Sequence, residues 1–467
     1  MVEELRLALV LPAVAVAVLL FIRPTWGFLG LVLLMPFLPR FLPRAEHGLN
    51  GETVLFLVGV LAVCVRVRPV LPRLNVVAPF IAYYACVLAG FAILMTWYGL
   101  RPRGGATLLY WAESLKSELW PTLLFFLAYA LAASVGLRRR VLDCIIVGLV
   151  IYSASGLFDY VSGAGTAAGA TSYRAAGMLA ANPNHLGGHL GAFAVLPLME
   201  IFRRGASPLR RWLCGAIYVF AVGVLLLTQS RGSWLGFLVG HSIWLFYTNR
   251  KLILPITTGT AVLLVALYNL SLLPAVISER IDDTFTPGHN FYRSRVSGSF
   301  DSSVGIRLAL YQMGGEMFLD SPLWGHGYQA FRLLNNKYGL KHGVWSLHGS
   351  GTVAESVLIN VAVESGLIGL AILAWLSFVL LSHALALVRG RGPEATLGLA
   401  FLAISLAIGV ESLTQNALSV HEISLAFWTT AGLTLRAFNA QRVRALRAPT
   451  RLGQISPGLT RRLQPTG

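Results

Sequence analysis

Gly305-Ile306-Arg307, then Pro322-Leu323-Trp324-Gly325-His326-Gly327-Tyr328, then Ser346-Leu347-His348-Gly349, Ala354-Glu355-Ser356 and Glu364-Ser365-Gly366-Leu367-Ile368-Gly369 stand in this order between Val276 and Gly369. This interval is the one long polar stretch in a chain otherwise built of apolar runs. A polar insert of this length between membrane spans reads as a folded extracytoplasmic loop. It closes over a site between helices, and the rest of the chain presents that site to lipid.

The apolar runs set the class. The chain is 56% hydrophobic and 12% charged, against about 25% charged in soluble domains. Runs of membrane-spanning length recur, whereas a membrane β-barrel would show short alternating segments. The expected fold is therefore an all-α polytopic membrane protein. The formal charge of +17 does not point to nucleic acid. The basic residues cluster in short loops, as the positive-inside rule requires. From Arg436 onward there are seven arginines and no acid. That tail reads as a cytoplasmic segment beside anionic lipid heads. Cys64, Cys86, Cys144 and Cys214 all sit in apolar runs without metal-ligand spacing, so neither a disulfide nor cysteine chemistry is expected. The first apolar run lacks a basic leader and a clean cleavage site, and reads as a retained helix.

Apolar runs fall at 7–22, 27–42, 53–66, 76–97, 120–136, 141–159, 185–202, 212–229, 233–249, 251–270, 357–388, 395–413 and 422–437. With the basic tail placed in the cytoplasm, counting backward puts five more basic loops on the same side. They hold Arg389 and Arg391; Arg250 and Lys251; Arg203, Arg204, Arg210 and Arg211; Arg138 to Arg140; and Arg66, Arg68 and Arg73. About twelve full spans fit this register if one early run, 27–42, is re-entrant or broken. The expected organisation is helices 1–10 over 1–274, a loop domain over 275–356, C-terminal helices over 357–437 and a basic cytoplasmic tail over 438–467. Within the loop, helices are expected over 303–319 and 327–337.

Three arginines fall on the other side of the membrane from the basic loops. They are Arg174, before Asn182-Pro183-Asn184, Arg231 in Ser230-Arg231-Gly232-Ser233, and Arg307. Each could snorkel to lipid phosphates. The sharper reading is a set of forks for phosphate, since guanidinium is always charged and bidentate toward phosphate oxygens. A lipid-linked diphosphate needs such forks, because its negative charge grows as its bond to sugar breaks.

Four pieces over about 170 to 370 carry a resemblance. They are Arg174 with Asn182-Pro183-Asn184, the Ser230–Ser233 turn, Gly305-x-Arg307 with Pro322-Leu323-x-Gly325-x-Gly327, and the terminal Gly366-Leu367-Ile368-Gly369. In their order and spacing the sequence resembles the O-antigen ligase and O-antigen polymerase superfamily. The resemblance implies a GT-C type glycosyltransferase in a bacterial inner membrane, multi-pass, with a periplasmic loop domain and a periplasm-facing site. It implies en bloc transfer of a glycan from undecaprenyl diphosphate to an acceptor hydroxyl, with inversion and without nucleotide sugar, metal or other cofactor. The acceptor would be another lipid-linked glycan or a lipid A core. A chain-length regulator is the protein partner it suggests; nucleic acid is not one.

Ligases of this superfamily carry a histidine, then Asn, Ser or Gln, then nine residues, then Gly-x-x-Gly. Here Ser356 and Gly366 to Gly369 fit, but Glu355 stands at the histidine position. Three readings are open: Glu355 itself takes the proton, His348 reaches in from the loop, or no single base acts and the arginines and substrate placement do most of the catalysis. An ion pair of Glu355 with Arg307 or Arg231 is the structural alternative, and is compatible with any of them. The missing histidine tips the balance toward a polymerase of O-antigen or exopolysaccharide repeats over a ligase. A lipid-linked glycan flippase or transporter is a third class, disfavoured because no internal repeat is seen. Trp324, Tyr328, Tyr338 and Trp345 are candidates for stacking on sugar rings, with the loop's own small core as the other reading. Asn182 and Asn184 are candidate glycan or acceptor contacts. Glu364, Glu411, Gln415 and Asn416 read as interhelical polar contacts. His185 and His189, at i and i+4, read as packing rather than as metal ligands.

Overall fold

The computed structural model describes residues 2–38, 51–67, 71–97, 115–163, 167–249, 251, 303–342 and 353–447, with short interruptions inside those limits. The span expected over 251–270 and the candidates His348 and Trp345 lie outside the described residues. Among the described residues the chain is helical, apart from a two-residue strand pair, Ala167–Ala168 with Ser172–Tyr173. Its helices are α1 (Val2–Ile22), α2 (Pro24–Leu34), α3 (Gly51–Arg66), α4 (Leu74–Trp97), α5 (Leu123–Leu131), α6 (Val135–Val161), α7 (Pro183–Phe193) and α8 (Val195–Ile201). They continue as α9 (Pro208–Leu227), α10 (Arg231–Asn249), α11 (Ser303–Asp320), α12 (Ala330–His342), α13 (Val357–Arg389), α14 (Ala395–Thr414) and α15 (His421–Arg447).

Among the described residues, five segments are long and apolar enough to cross a membrane: Leu74–Thr96, Val135–Val161, Pro208–Leu227, Val357–Arg389 and Ala395–Thr414. Large apolar side chains point outward from them, among them Val219 and Phe378, as a lipid-facing surface requires. This is the architecture of an all-helical polytopic membrane protein. Two expected spans differ in detail. The run over 27–42 is helical only from Pro24 to Leu34, and 35–37 form a turn. The run over 185–202 is two helices that meet at Ala194. Pro197 explains that break: it has no N–H to donate to the carbonyl of Phe193, and its ring crowds that carbonyl.

The closest helix pairing is α10 along α14. Gly232, Gly236 and Gly240 recur every fourth residue on one face of α10. A Cβ at Gly236 or Gly240 would sit 2.7 Å from the carbonyl oxygen of Ala407 or Ala403, and one at Gly232 2.4 Å from the Thr414 hydroxyl. Small residues at this spacing let backbones approach in lipid, where helix association rests on close packing. Arg138 sits at the other end of α14 from Thr414, beside its N-terminal Glu394. It is fully buried, with Nε and Nη2 each 2.6 Å from the two carboxylate oxygens of Glu394 and Nη1 donating to the carbonyls of Ala132 and Ala133.

The long loop is held by a break in α13. Gly366 has φ 60° and ψ −152°, outside the helical region. The break leaves backbone groups on either side without helical partners, and the Pro322–Tyr328 segment supplies them. His326 N donates to Val363 O at 2.8 Å and Gly327 N to Glu364 O at 3.0 Å. Leu367 N donates to Pro322 O at 2.8 Å and Ile368 N to Leu323 O at 3.4 Å. The fit needs glycine on both sides. A Cβ at Gly325 would lie 2.4 Å from the Glu364 and Ser365 backbone, and one at Gly366 2.5 Å from the Leu323 carbonyl. On the far side Tyr328 N donates to Gly90 O of α4 at 2.9 Å. Above this junction α11 and α12 enclose a small core of Leu310, Met313, Met317, Phe331 and Tyr338, which also takes in Ala354 and Val363.

Substituting Gly366→Ala should therefore destabilise the protein by about 3 kcal/mol, through a left-handed backbone and a clash with backbone. Gly315→Ala, in the same loop domain but facing open space inside α11, should be neutral or stabilising by up to ~1 kcal/mol. Thermal unfolding of the two purified variants checks the contrast.

Candidate functional site

The C-terminal end of α14 is where the sequence motifs meet. The last carbonyls of any helix lack intrahelical donors, and in a membrane they need protein partners. Here side chains from the loop and from α13 provide them. Tyr311 donates its hydroxyl to Leu413 O at 2.5 Å, and Ser356 donates to Ser412 O at 3.2 Å. Glu411, in the same last turn, accepts from the Ser233 hydroxyl at 2.9 Å, and the Ser233 hydroxyl lies 2.7 Å from that of Ser230. Gly187 and Gly188 of α7 close the other side, since a Cβ there would press on Ser233 and on the Glu411 carboxylate. The Ser230–Ser233 turn, Arg307 and Glu355 are thus gathered around one helix end.

Arg307 and Glu355 form an ion pair, with Nε 2.8 Å from Oε2. Their side chains are 23% and 45% exposed, so both remain reachable from outside the protein. Tyr311 lies one helical turn after Arg307 and also donates to Glu355 O at 3.5 Å. Arg307 is close enough to Glu411 for their charges to interact. Glu411 is thus a second carboxylate within range of the Arg307 charge at this end of α14.

Arg174 serves the neighbouring turn. Its Nε donates to Thr228 O and its Nη2 to Asn184 Oδ1, both at 2.9 Å. Ala175 N adds a bond to Leu227 O at 3.0 Å, and Trp234 Nε1 one to Leu225 O at 3.1 Å. These donors cap the end of α9 and hold a turn in which Gln229 has φ 52°, uncommon for a residue with a side chain. Arg231 follows directly as the first residue of α10 and is half-buried. Asn182 accepts from Asn184 N at 2.8 Å and caps α7, with Pro183 in the first turn. Both asparagine oxygens are thus bonded to protein, Asn182 as a cap and Asn184 as a clamp on Arg174.

The described aromatic candidates separate clearly. Tyr328 is 5% exposed and packs beside Phe91, with ring centres 6.4 Å apart. Tyr338 is 7% exposed, lies in the loop core and donates its hydroxyl to Asp320. Protein covers both rings, which leaves Trp324, 67% exposed beside the Gly366 junction, as the described ring open to a ligand. Glu364 takes part in the junction: its carbonyl accepts from Gly327, and its carboxylate accepts from the Gln329 backbone. His189 is buried between Tyr152 and Phe193, with Nδ1 3.0 Å from Glu422 O, a packing role.

Residues 216–374 match the family model described as O-antigen ligase. Over that segment the chain is similar to the O-antigen ligase family, in line with the resemblance carried by its motifs. The O-antigen ligase segment takes in Arg231, Arg307, Glu355, Gly366 and Gly369, while Arg174 and Glu411 lie outside it. The match points to a membrane enzyme of the glycosyltransferase kind. No curated protein matches the chain.

One feature of the site was not singled out in the sequence. The Gly232, Gly236 and Gly240 repeat was visible there and marks the face of α10 that packs on α14. Glu411, read in the sequence as an interhelical polar contact, is one: it accepts from Ser233 between α10 and α14.

Burial pushes the Tyr311 phenol above its usual range; Arg307 opposes this and Glu355 adds to it. The neutral phenol is the form that donates to Leu413 O. Its contribution to stability is therefore complete below about pH 10 and is lost as pH rises through the raised value. Tyr311→Phe should cost about 1 kcal/mol at neutral pH and remove that alkaline step. Thermal unfolding measured across alkaline pH for both proteins tests this.

Proposed function

We propose that the protein transfers a glycan en bloc from undecaprenyl diphosphate to an acceptor hydroxyl, on the periplasmic side of a bacterial inner membrane. The observation that carries this reading is the exposed Arg307–Glu355 pair beside the Ser230–Ser233 turn, inside the O-antigen ligase segment. In this reading Arg307 and Arg231 hold the diphosphate, and Arg174 holds the turn from which Arg231 projects. About twelve spans of GT-C type, a loop domain over 275–356 and a cytoplasmic tail over 438–467 complete the proposal.

The chemistry follows from the pair. Diphosphate competes with Glu355 for the Arg307 guanidinium. A carboxylate released from that pair is free to accept the proton of the acceptor hydroxyl. The hydroxyl oxygen attacks the anomeric carbon as its bond to the diphosphate oxygen breaks. Attack from the face opposite the diphosphate inverts the configuration. The leaving diphosphate gains negative charge, which the guanidiniums offset most strongly in the transition state. Trp324 offers a flat face to the glycan. His348 is the competing choice for the base.

The acceptor is proposed to be a second lipid-linked repeat, which makes the protein a polymerase of O-antigen or exopolysaccharide. Glutamate in place of the ligase histidine favours this over transfer to a lipid A core. With purified protein and undecaprenyl-diphosphate glycan alone, chain extension should occur; product formed only after adding core lipid would make it a ligase. Arg231→Ala and Arg307→Ala should each lower turnover by about 10²–10³-fold while the protein stays folded in the membrane. Glu355→Gln should cost about 10²–10⁴-fold, more than His348→Ala. Normal turnover in both arginine variants would remove the diphosphate site, and the reverse order of the last two would make His348 the base.

A further inference from the structure

A second set of arginines lies far in sequence from the site above. Arg23 forms the turn between α1 and α2, and Phe21 and Trp26 flank it on the two helices. The hairpin is tight, since a Cβ at Gly27 would fall 2.1 Å from the Leu20 backbone nitrogen. Two further arginines lie over those rings. Arg66, at the end of α3, has its guanidinium carbon 5.1 Å from the Phe21 ring centre, and Arg140, in the second turn of α6, is 5.6 Å from that of Trp26. α1 packs on α2 and α3, and α2 packs on α6, so three guanidiniums surround one hairpin tip.

All three arginines are exposed. Nearby acids are already engaged, Asp143 and Glu200 by Arg210 and Glu394 by Arg138. Among the described residues no carboxylate pairs with Arg23, Arg66 or Arg140. Beside the guanidiniums, Phe21, Ile22, Trp26 and Val65 present exposed apolar surface. The positive-inside rule accounts for basic residues at this end of the bundle. It does not require three of them around one tip, two of them over aromatic rings. Stacking restricts a guanidinium to a plane while leaving its N–H edge open to phosphate.

We propose that this hairpin tip binds the headgroup of an anionic phospholipid, best one carrying two phosphates, with its acyl chains along Phe21, Ile22 and Trp26. Charge complementarity selects the headgroup and the apolar rim selects a lipid over a soluble anion. The site is independent of the glycan-transfer reading.

Native mass spectrometry of the full chain in detergent, with added cardiolipin, phosphatidylglycerol, phosphatidylcholine or inorganic pyrophosphate, tests the proposal. The expected result is retention of cardiolipin over phosphatidylcholine by at least about tenfold, with phosphatidylglycerol between them. The double variant Arg66→Gln, Arg140→Gln should weaken cardiolipin binding on the order of thirtyfold. Equal retention of phosphatidylcholine by the wild type would overturn the proposal without reference to any variant. Unchanged cardiolipin binding by the double variant would also overturn it. Pyrophosphate bound as tightly as cardiolipin would make this a free-phosphate site instead of a lipid site.

Discussion

Backbone N–H and C=O groups released inside a membrane must find partners within the protein, because hydrocarbon offers none. The break in α13 at Gly366 makes this demand locally, and the Pro322–Tyr328 segment meets it with four backbone hydrogen bonds. An isolated loop would have little reason to lie in one place against the bundle. This one is fixed because α13 needs it as much as it needs α13. α11 and α12 then pack over the junction with their own core, and that core sets where Arg307 stands relative to Glu355.

The same requirement organises the rest of the site. Carbonyls at the end of α14 accept from Tyr311 and Ser356, and those at the end of α9 from Arg174, Ala175 and Trp234. Each helix end that needed capping drew in a segment carrying one of the sequence motifs. Capping brings Arg174 to the end of α9 and the segments of Arg307 and Glu355 to the end of α14, before any ligand is considered. Arg174 shows the cost of this arrangement. Two of its donors are engaged by the turn and by Asn184, so what it offers a ligand is the placement of Arg231 more than its own fork.

Much of this was legible in the sequence, and the remainder follows physical lines. Apolar runs and arginine placement gave the membrane class, because lipid imposes one-dimensional rules on composition. The glycine-rich motifs marked the junction but did not reveal that Gly325 and Gly366 face each other, since their contact spans 41 positions of chain. Tyr328 and Tyr338 looked alike to Trp324 in the sequence. Only the fold separates them, by burying two rings against Phe91 and the loop core. The broken span at Ala194 was signalled by Pro197 and hidden by the apolar residues around it. His348 and Trp345 fall outside the described residues, so the choice of base still rests on chemistry.

That chemistry turns on what a carboxylate does where related ligases have a histidine. A neutral imidazole beside a guanidinium keeps its lone pair free, and no ion pair has to break before it can act. Glu355 is an anion and is already bonded to Arg307. On the proposed reading, the diphosphate must outcompete it, which a group of higher charge with several acceptor oxygens can do. Diphosphate bound at the remaining N–H groups of Arg307 would then draw the guanidinium toward itself and weaken its hold on Glu355. A water molecule entering the empty site would meet a carboxylate still held by arginine. Replacing histidine by glutamate would thus couple proton abstraction to donor binding through a single hydrogen-bonded pair, with no moving lid required.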